Sequence, residues 1–382
     1  MRPQPETSSI AEHLRLHAAG YFPGLEGRAV SVQLWETIPR PASYLYFFRL
    51  EAGRSRHGVV AKVARLQATD AGVRSLDVRP RLSVPTDASV KDLLEHRAMS
   101  LVEHAIRALN DERLSAVRIL DHLAEHCALV MEAVGAPTLL QLTRRRLRSL
   151  DRRPPTSLVQ AYGNAGRWLA AYHDIPAPDG TLALRERGHA VTRQIVAYAD
   201  HLVGAGVSED VLRPVVDIAS QGDAELFPTH YDVVWGHGDP APRNMFVGPS
   251  SQVAGFDVLG RWRTPRHEDL AFFLTSLRCD RRDVLSQGLA RHLVPYGELE
   301  QAFLQGYGVG TRVELGQVRA YQLMLLLDRW TAIRTRPPRP GPPAAVATYL
   351  RLADRYFSAF LRSVLLELQP SRADRLAGRV ER

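Results

Sequence analysis

The chain has 382 residues, 45% of them hydrophobic and 24% charged, with a net charge of +8 and a pI near 9.8, which suits one large domain or two to three smaller ones. No apolar run approaches the roughly 20 residues of a membrane span. The opening MRPQPETSSIAEHLRLHAAGYF lacks a signal-peptide core, and Cys127 and Cys279 build no disulfide framework, so a cytoplasmic protein is expected.

Residues 1–8 read as a disordered tail and Ile10–Ala19 as a short helix. From Ala29 to Ile38, Val30, Val32 and Leu34 alternate with Ser31 and Gln33, the period of a half-buried strand. Tyr44–Leu50 and His57–Ala64 are expected to be further strands, the latter with Lys62 inside it. A helix is predicted over Val90–Leu109, with Leu94, Ala98, Leu101, Ala105 and Leu109 on one face. Strands follow around Ala116–Leu120 and Ala128–Glu132, and after Gly135-Ala136-Pro137 the pattern turns helical, over Thr138–Leu147, Leu158–His173 and most of the chain after Glu268. RPPRPGPP (Arg336–Pro343) reads as a surface loop before a last amphipathic helix, Ala345–Leu368. This order predicts an α+β protein with a small β-rich lobe over 1–134 and a larger helical lobe over 135–382.

Of the 49 basic residues only Lys62 and Lys91 are lysines, a compositional bias rather than a binding surface. The longest basic run is Arg144-Arg145-Arg146, with no interleaved aromatics, so neither nucleic acid nor membrane is an expected partner. The same bias makes each lysine informative.

The stretch Val233–Ala271 carries the chemistry. An apolar run ends in His237-Gly238-Asp239, Asn244 lies five residues after that Asp, and two short strands, Met245–Val247 and Val253–Phe256, lead to Asp257. Phosphoryl transfer needs one carboxylate to orient the attacking hydroxyl, and a second carboxylate with an amide oxygen to hold the metal on the phosphates. A hairpin between Asn244 and Asp257 makes that chemistry attainable.

These motifs resemble the aminoglycoside phosphotransferase and choline kinase superfamily, whose catalytic loop is similar to that of protein kinases. The resemblance implies a two-lobed protein-kinase-like fold, Asp239 as catalytic base, His237 as buttress of its loop, and Asn244 and Asp257 as Mg²⁺ ligands. It implies that Lys62 holds the nucleotide phosphates, that Glu95 pairs with Lys62, and that the segment Met131–Gly135, including Met131 and Ala133, meets the adenine. Leu169–His173 resembles the helix end beneath the catalytic loop, and Asp269 a structural aspartate. ATP, or GTP, with Mg²⁺ is the expected cofactor set.

Three departures stand out. The turn Thr37–Ser43 has no glycine, and Pro39 and Pro41 lack amide donors, which leaves Ser43 and Arg40 to meet phosphate. Asp257 is followed by Val258-Leu259-Gly260 instead of Phe-Gly, and the segment Leu66–Asp87 is longer than a bare connection requires. From Trp235 onward 21 Arg face 14 Asp plus Glu, so a neutral or anionic small-molecule acceptor is expected rather than a polycation. A pseudokinase that binds nucleotide without turnover is the alternative.

Overall fold

The computed structural model describes residues 5–40, 43–65, 88–146, 155–183, 187–279, 281–288, 296–335 and 342–368. In chain order these form α1 (Pro5–Tyr21), β1 (Ser31–Arg40), β2 (Ser43–Ala52), β3 (Ser55–Ala64), α2 (Ala88–Ala108), β4 (Leu114–Ala116), β5 (Ile119–Leu123) and β6 (Ala128–Glu132). Then come α3 (Leu139–Arg146), α4 (Thr156–His173), β7 (Leu182–Ala183), α5 (Gly188–Gly204), α6 (Glu209–Gln221), β8 (Val233–Trp235), β9 (Met245–Val247), β10 (Val253–Gly255) and β11 (Trp262–Pro265). Helices α7 (Arg266–Arg278), α8 (Arg281–Leu285), α9 (Tyr296–Tyr307), α10 (Leu315–Thr335) and α11 (Pro343–Leu368) complete it. The architecture is α+β and divides into two compact units. None of the described helices is long and apolar enough to cross a membrane.

One unit comprises the described parts of 1–71 and 85–137 together with Phe246–Gly260. Its main sheet is antiparallel, ordered β1-β2-β3-β6-β5. Alternation explains which face is covered. Tyr46, Phe48 and Leu50 of β2 and Val59, Ala61 and Val63 of β3 point into one core, with Ile10, Leu14 and Ala18 of α1 packed on them. Lys62 therefore stands on the opposite face, between Leu45 and Leu129 in the ladder. A second sheet, β4-β10-β9, pairs β4 and β10 in parallel.

Three sequence expectations change in detail. Pro5–Ser8 belong to α1 rather than to a tail. Proline at the first helical position gives up a donor that has no partner there anyway, and Thr7 is buried. The strand expected at Ala116–Leu120 is two strands, β4 and β5, joined to different sheets, so the chain turns between them at Val117-Arg118. A single apolar run does not reveal that its ends have different partners. Most of the expected Arg336–Pro343 loop and all of the 66–87 segment lie outside the described residues, and Pro343 opens α11.

The other unit comprises the described parts of Thr138–Met245 and 261–382. Helix α10 is buried on nearly every side, as an apolar helix at the centre of a bundle must be. Helices α4 and α9 touch backbone to backbone: a Cβ added at Gly306 would lie 1.9 Å from the Gly163 carbonyl oxygen, and one at Gly166 would lie 2.0 Å from that of Phe303. A small sheet, β7-β11-β8, delivers the chain into the His237-Gly238-Asp239 segment.

Candidate active site

In the first unit, Lys62 of β3 forms ion pairs with Glu95 of α2 and with Asp257, which follows β10. The Glu95 and Lys62 side chains are only 7% and 14% exposed, whereas Asp257 retains 30%. Burial alone would pull the ammonium pKa down, but the charges and hydrogen bonds of Asp257 and Glu95 outweigh it and raise it, so Lys62 is a fixed cation. Asp257 has φ of +61°, in the left-handed region that non-glycine residues seldom adopt. Backbone strain of this kind concentrates at functional sites. The residue after it, Val258, is fully buried and Gly260 also has positive φ, so Val-Leu-Gly anchors this turn where the family resemblance led us to expect Phe-Gly.

In the second unit, strand β8 runs antiparallel to β11 and is followed by Gly236, where a side chain would collide with Thr264. Gly238 has φ of +89°, which glycine adopts freely. The loop is held from below by Asp269 in the first turn of α7. Its carboxylate accepts the His237 amide at 2.6 Å, the Gly238 amide at 3.4 Å and His173 Nε2–H at 3.1 Å. Tyr307 donates to His173 Nδ1 at 2.8 Å, which sets the imidazole tautomer. The fully buried His237 ring meets Trp168 and Tyr172 edge-on and accepts the Asp239 amide at 3.4 Å.

Above this support, Asn244 Nδ2 donates to the Asp239 carbonyl at 2.9 Å and to its Oδ2 at 3.0 Å. Arg243 Nη2 donates to both Asp239 oxygens, at 2.5 and 2.7 Å. The amide nitrogen of Asn244 is thus engaged, so Oδ1 is the atom this side chain could offer a hard cation. In the first unit the Asp257 carboxylate is a donor of the same hard-oxygen type.

The remaining expected residues are less gathered. The β1–β2 ladder continues to its tip, with Arg40 opposite Ser43; Arg40 is exposed and Ser43 buried, and Pro41 and Ala42 between them lie outside the described residues. Met131 sits in β6 between β3 and β5, and the Ala133 amide donates to the Gly58 carbonyl at 2.9 Å. Sequence reasoning missed Arg243, whose signal was its place directly before Asn244, masked by an Arg-rich chain. It also missed strand β11 (Trp262–Pro265), in which Thr264 and Pro265 are buried and Arg263 is exposed.

The sequence profile of the phosphotransferase enzyme family matches residues 93–321, more than half of the 382. The chain belongs to that family. Two solved structures share its fold. A glucosamine kinase in complex with glucosamine, ADP and inorganic phosphate aligns with a TM-score of 0.58 at 16% identity, covering 96% of this chain and 88% of the other. A macrolide 2′-phosphotransferase from Brachybacterium faecium aligns with a TM-score of 0.51 at 14% identity, covering 91% and 98%. No curated protein matches in sequence. As a phosphotransferase of kinase-like, two-lobed fold, the protein has its family match over the segments that hold Glu95, His237, Asp239, Asn244, Asp257 and Asp269. Lys62 lies before the matched segment, and its ion pair with Glu95 is what ties it to the same set.

Proposed function

We propose that this phosphotransferase moves the γ-phosphoryl of ATP, or GTP, onto a hydroxyl of a small molecule, with Asp239 as the base that orients the hydroxyl. The carrying observation is the loop around Asp239. Its carboxylate is held by Arg243 and Asn244, and the two residues before it, His237 and Gly238, donate their amides to the buried Asp269, so it is fixed before any substrate arrives. Such positioning is most of what phosphoryl transfer asks of a protein. Asn244 Oδ1 and Asp257 would hold Mg²⁺, which when bound neutralises charge on the phosphates. Lys62, fixed by Glu95, would meet the phosphates, with Arg40 and Ser43 at the turn and the Met131–Gly135 segment towards the adenine. The ADP and glucosamine of the glucosamine kinase support a nucleotide donor and a hydroxylated acceptor.

The balance of 21 Arg to 14 acidic residues from Trp235 onward favours a neutral or anionic acceptor, such as a sugar, nucleoside or glycan precursor. The glycine-free β1–β2 turn favours a pseudokinase as a second reading. Incubation with MgATP and with MgGTP, against a panel of sugars, nucleosides and antibiotics, separates the two. The expected result is acceptor-dependent nucleotide consumption that Asp239→Asn abolishes. Nucleotide binding without consumption across the panel would favour the pseudokinase.

A further inference from the structure

Asp239 and Arg243 lie four residues apart on a loop stiffened by Pro240 and Pro242, each of which fixes its own φ. The short 3₁₀ turn Pro242–Asn244 then sets Arg243 over the carboxylate. A guanidinium has five N–H donors. The bonds of Arg243 all run from Nη2 to Asp239, so among the described residues the Nη1 and Nε edge meets no acceptor. The arginine side chain is 39% exposed and that of Asp239 only 12%, so the open side of the pair is the cation.

That arrangement suits an anionic ligand. A lone carboxylate at the reaction point would repel a triphosphate, and pairing it with arginine removes that repulsion. The planar fork of arginine matches phosphoryl oxygens. The transition state of phosphoryl transfer spreads charge over three equatorial oxygens, where arginine stabilises it. The need is greater here because Pro39 and Pro41 supply no amides at the β1–β2 turn.

We propose that Arg243 is a catalytic arginine, borne on the same loop as the base, that contacts the transferring phosphoryl group; this rests on the phosphotransferase reading above. As the bond from the acceptor oxygen to phosphorus forms and the bond from phosphorus to the leaving nucleoside diphosphate breaks, the hydroxyl proton passes to Asp239. Arg243 keeps its protons and exchanges one carboxylate contact for phosphoryl oxygens.

Calorimetric titration of the full chain with MgADP, alone and with aluminium fluoride as mimic of the phosphoryl in flight, tests this. Transition-state mimics bind more tightly than ground states by about 100-fold or more. The wild type should show a gain of about that size, and Arg243→Gln should lose most of it while binding MgADP alone within about threefold of normal. Arg243→Lys should retain part of the gain. Asp239→Asn separates the two roles of the arginine: it should keep the gain, since the arginine is intact. A full gain in Arg243→Gln would overturn the inference, as would no gain in the wild type. So would a loss in Asp239→Asn as large as in Arg243→Gln, because the arginine would then act only by positioning the carboxylate. A wild type that binds no MgADP would sink the phosphotransferase reading itself.

Discussion

Replacing Asp269 by alanine tests whether the loop that carries Asp239 is held from within the protein. The carboxylate is fully buried and accepts from the His237 amide at 2.6 Å and His173 Nε2–H at 3.1 Å, with the Gly238 amide a longer third donor at 3.4 Å. A buried donor left without an acceptor costs about 1–3 kcal/mol. Two well-formed bonds therefore put the loss at about 2–6 kcal/mol, a large share of the roughly 5–15 kcal/mol that stabilises a typical domain. Asparagine keeps one oxygen but turns an NH₂ towards donors, so Asp269→Asn should lose about half as much as alanine. Urea denaturation followed by far-UV circular dichroism reads the stability. MgADP titration in the same samples reports whether the variants are still folded enough to bind nucleotide. A double-mutant cycle with His173→Gln should show coupling of more than about 0.5 kcal/mol, since the two side chains touch. An Asp269→Ala protein within about 1 kcal/mol of wild type would refute the reasoning.

Lys62→Ala should weaken ATP binding by about one to two decades, the size of a lost charge-assisted hydrogen bond, and unchanged affinity by calorimetry would contradict its phosphate role. His267 is 6% exposed, lies between Tyr231 and Tyr321, and burial lowers its pKa from 6.5 to about 4. The unfolded chain therefore takes up the proton first, so stability is whole above pH 6.5 and lost as the pH falls towards 4. Between pH 7 and pH 5 this amounts to about 2 kcal/mol, and in paired denaturation curves His267→Phe should lack that part of the acid sensitivity. Gly306→Ala drives a methyl into the Gly163 carbonyl and should cost about 1–3 kcal/mol or more, whereas Gly297→Ala, with nothing within 4 Å, should melt at nearly the wild-type temperature. Kanamycin-like aminoglycosides should neither consume ATP nor raise the melting temperature; efficient phosphorylation of them would overturn the argument from charge.

Much of the fold was legible because its periodicities are local. The alternation in YLYFFRL and HGVVAKVA marks two strands and which of their faces is buried, and it places Lys62 on the other face. The spacing from His237 to Asp257 marked the candidate site because these residue types are uncommon in that combination. What stayed hidden depends on partners distant in sequence. Nothing near Val117 says that Leu114–Ala116 pairs with Val253–Gly255 while Ile119–Leu123 pairs with β6. Strand β11 stayed hidden because only two of its four residues, Thr264 and Pro265, are buried, and they pair with β8, a segment about thirty residues earlier. Arg243 was hidden by composition, since one arginine among so many gives no signal until its distance to Asp239 is known.

The most direct test of the central claim follows the label from γ-labelled ATP into an acceptor identified from the panel, with wild type, Asp239→Asn and Asp257→Asn, each with and without Mg²⁺. Wild type should transfer label only when Mg²⁺ is present, and neither variant should transfer it while remaining folded. Near-normal label transfer by either variant would contradict the role proposed for that carboxylate, and transfer by the wild type without any divalent metal would contradict the account of the site.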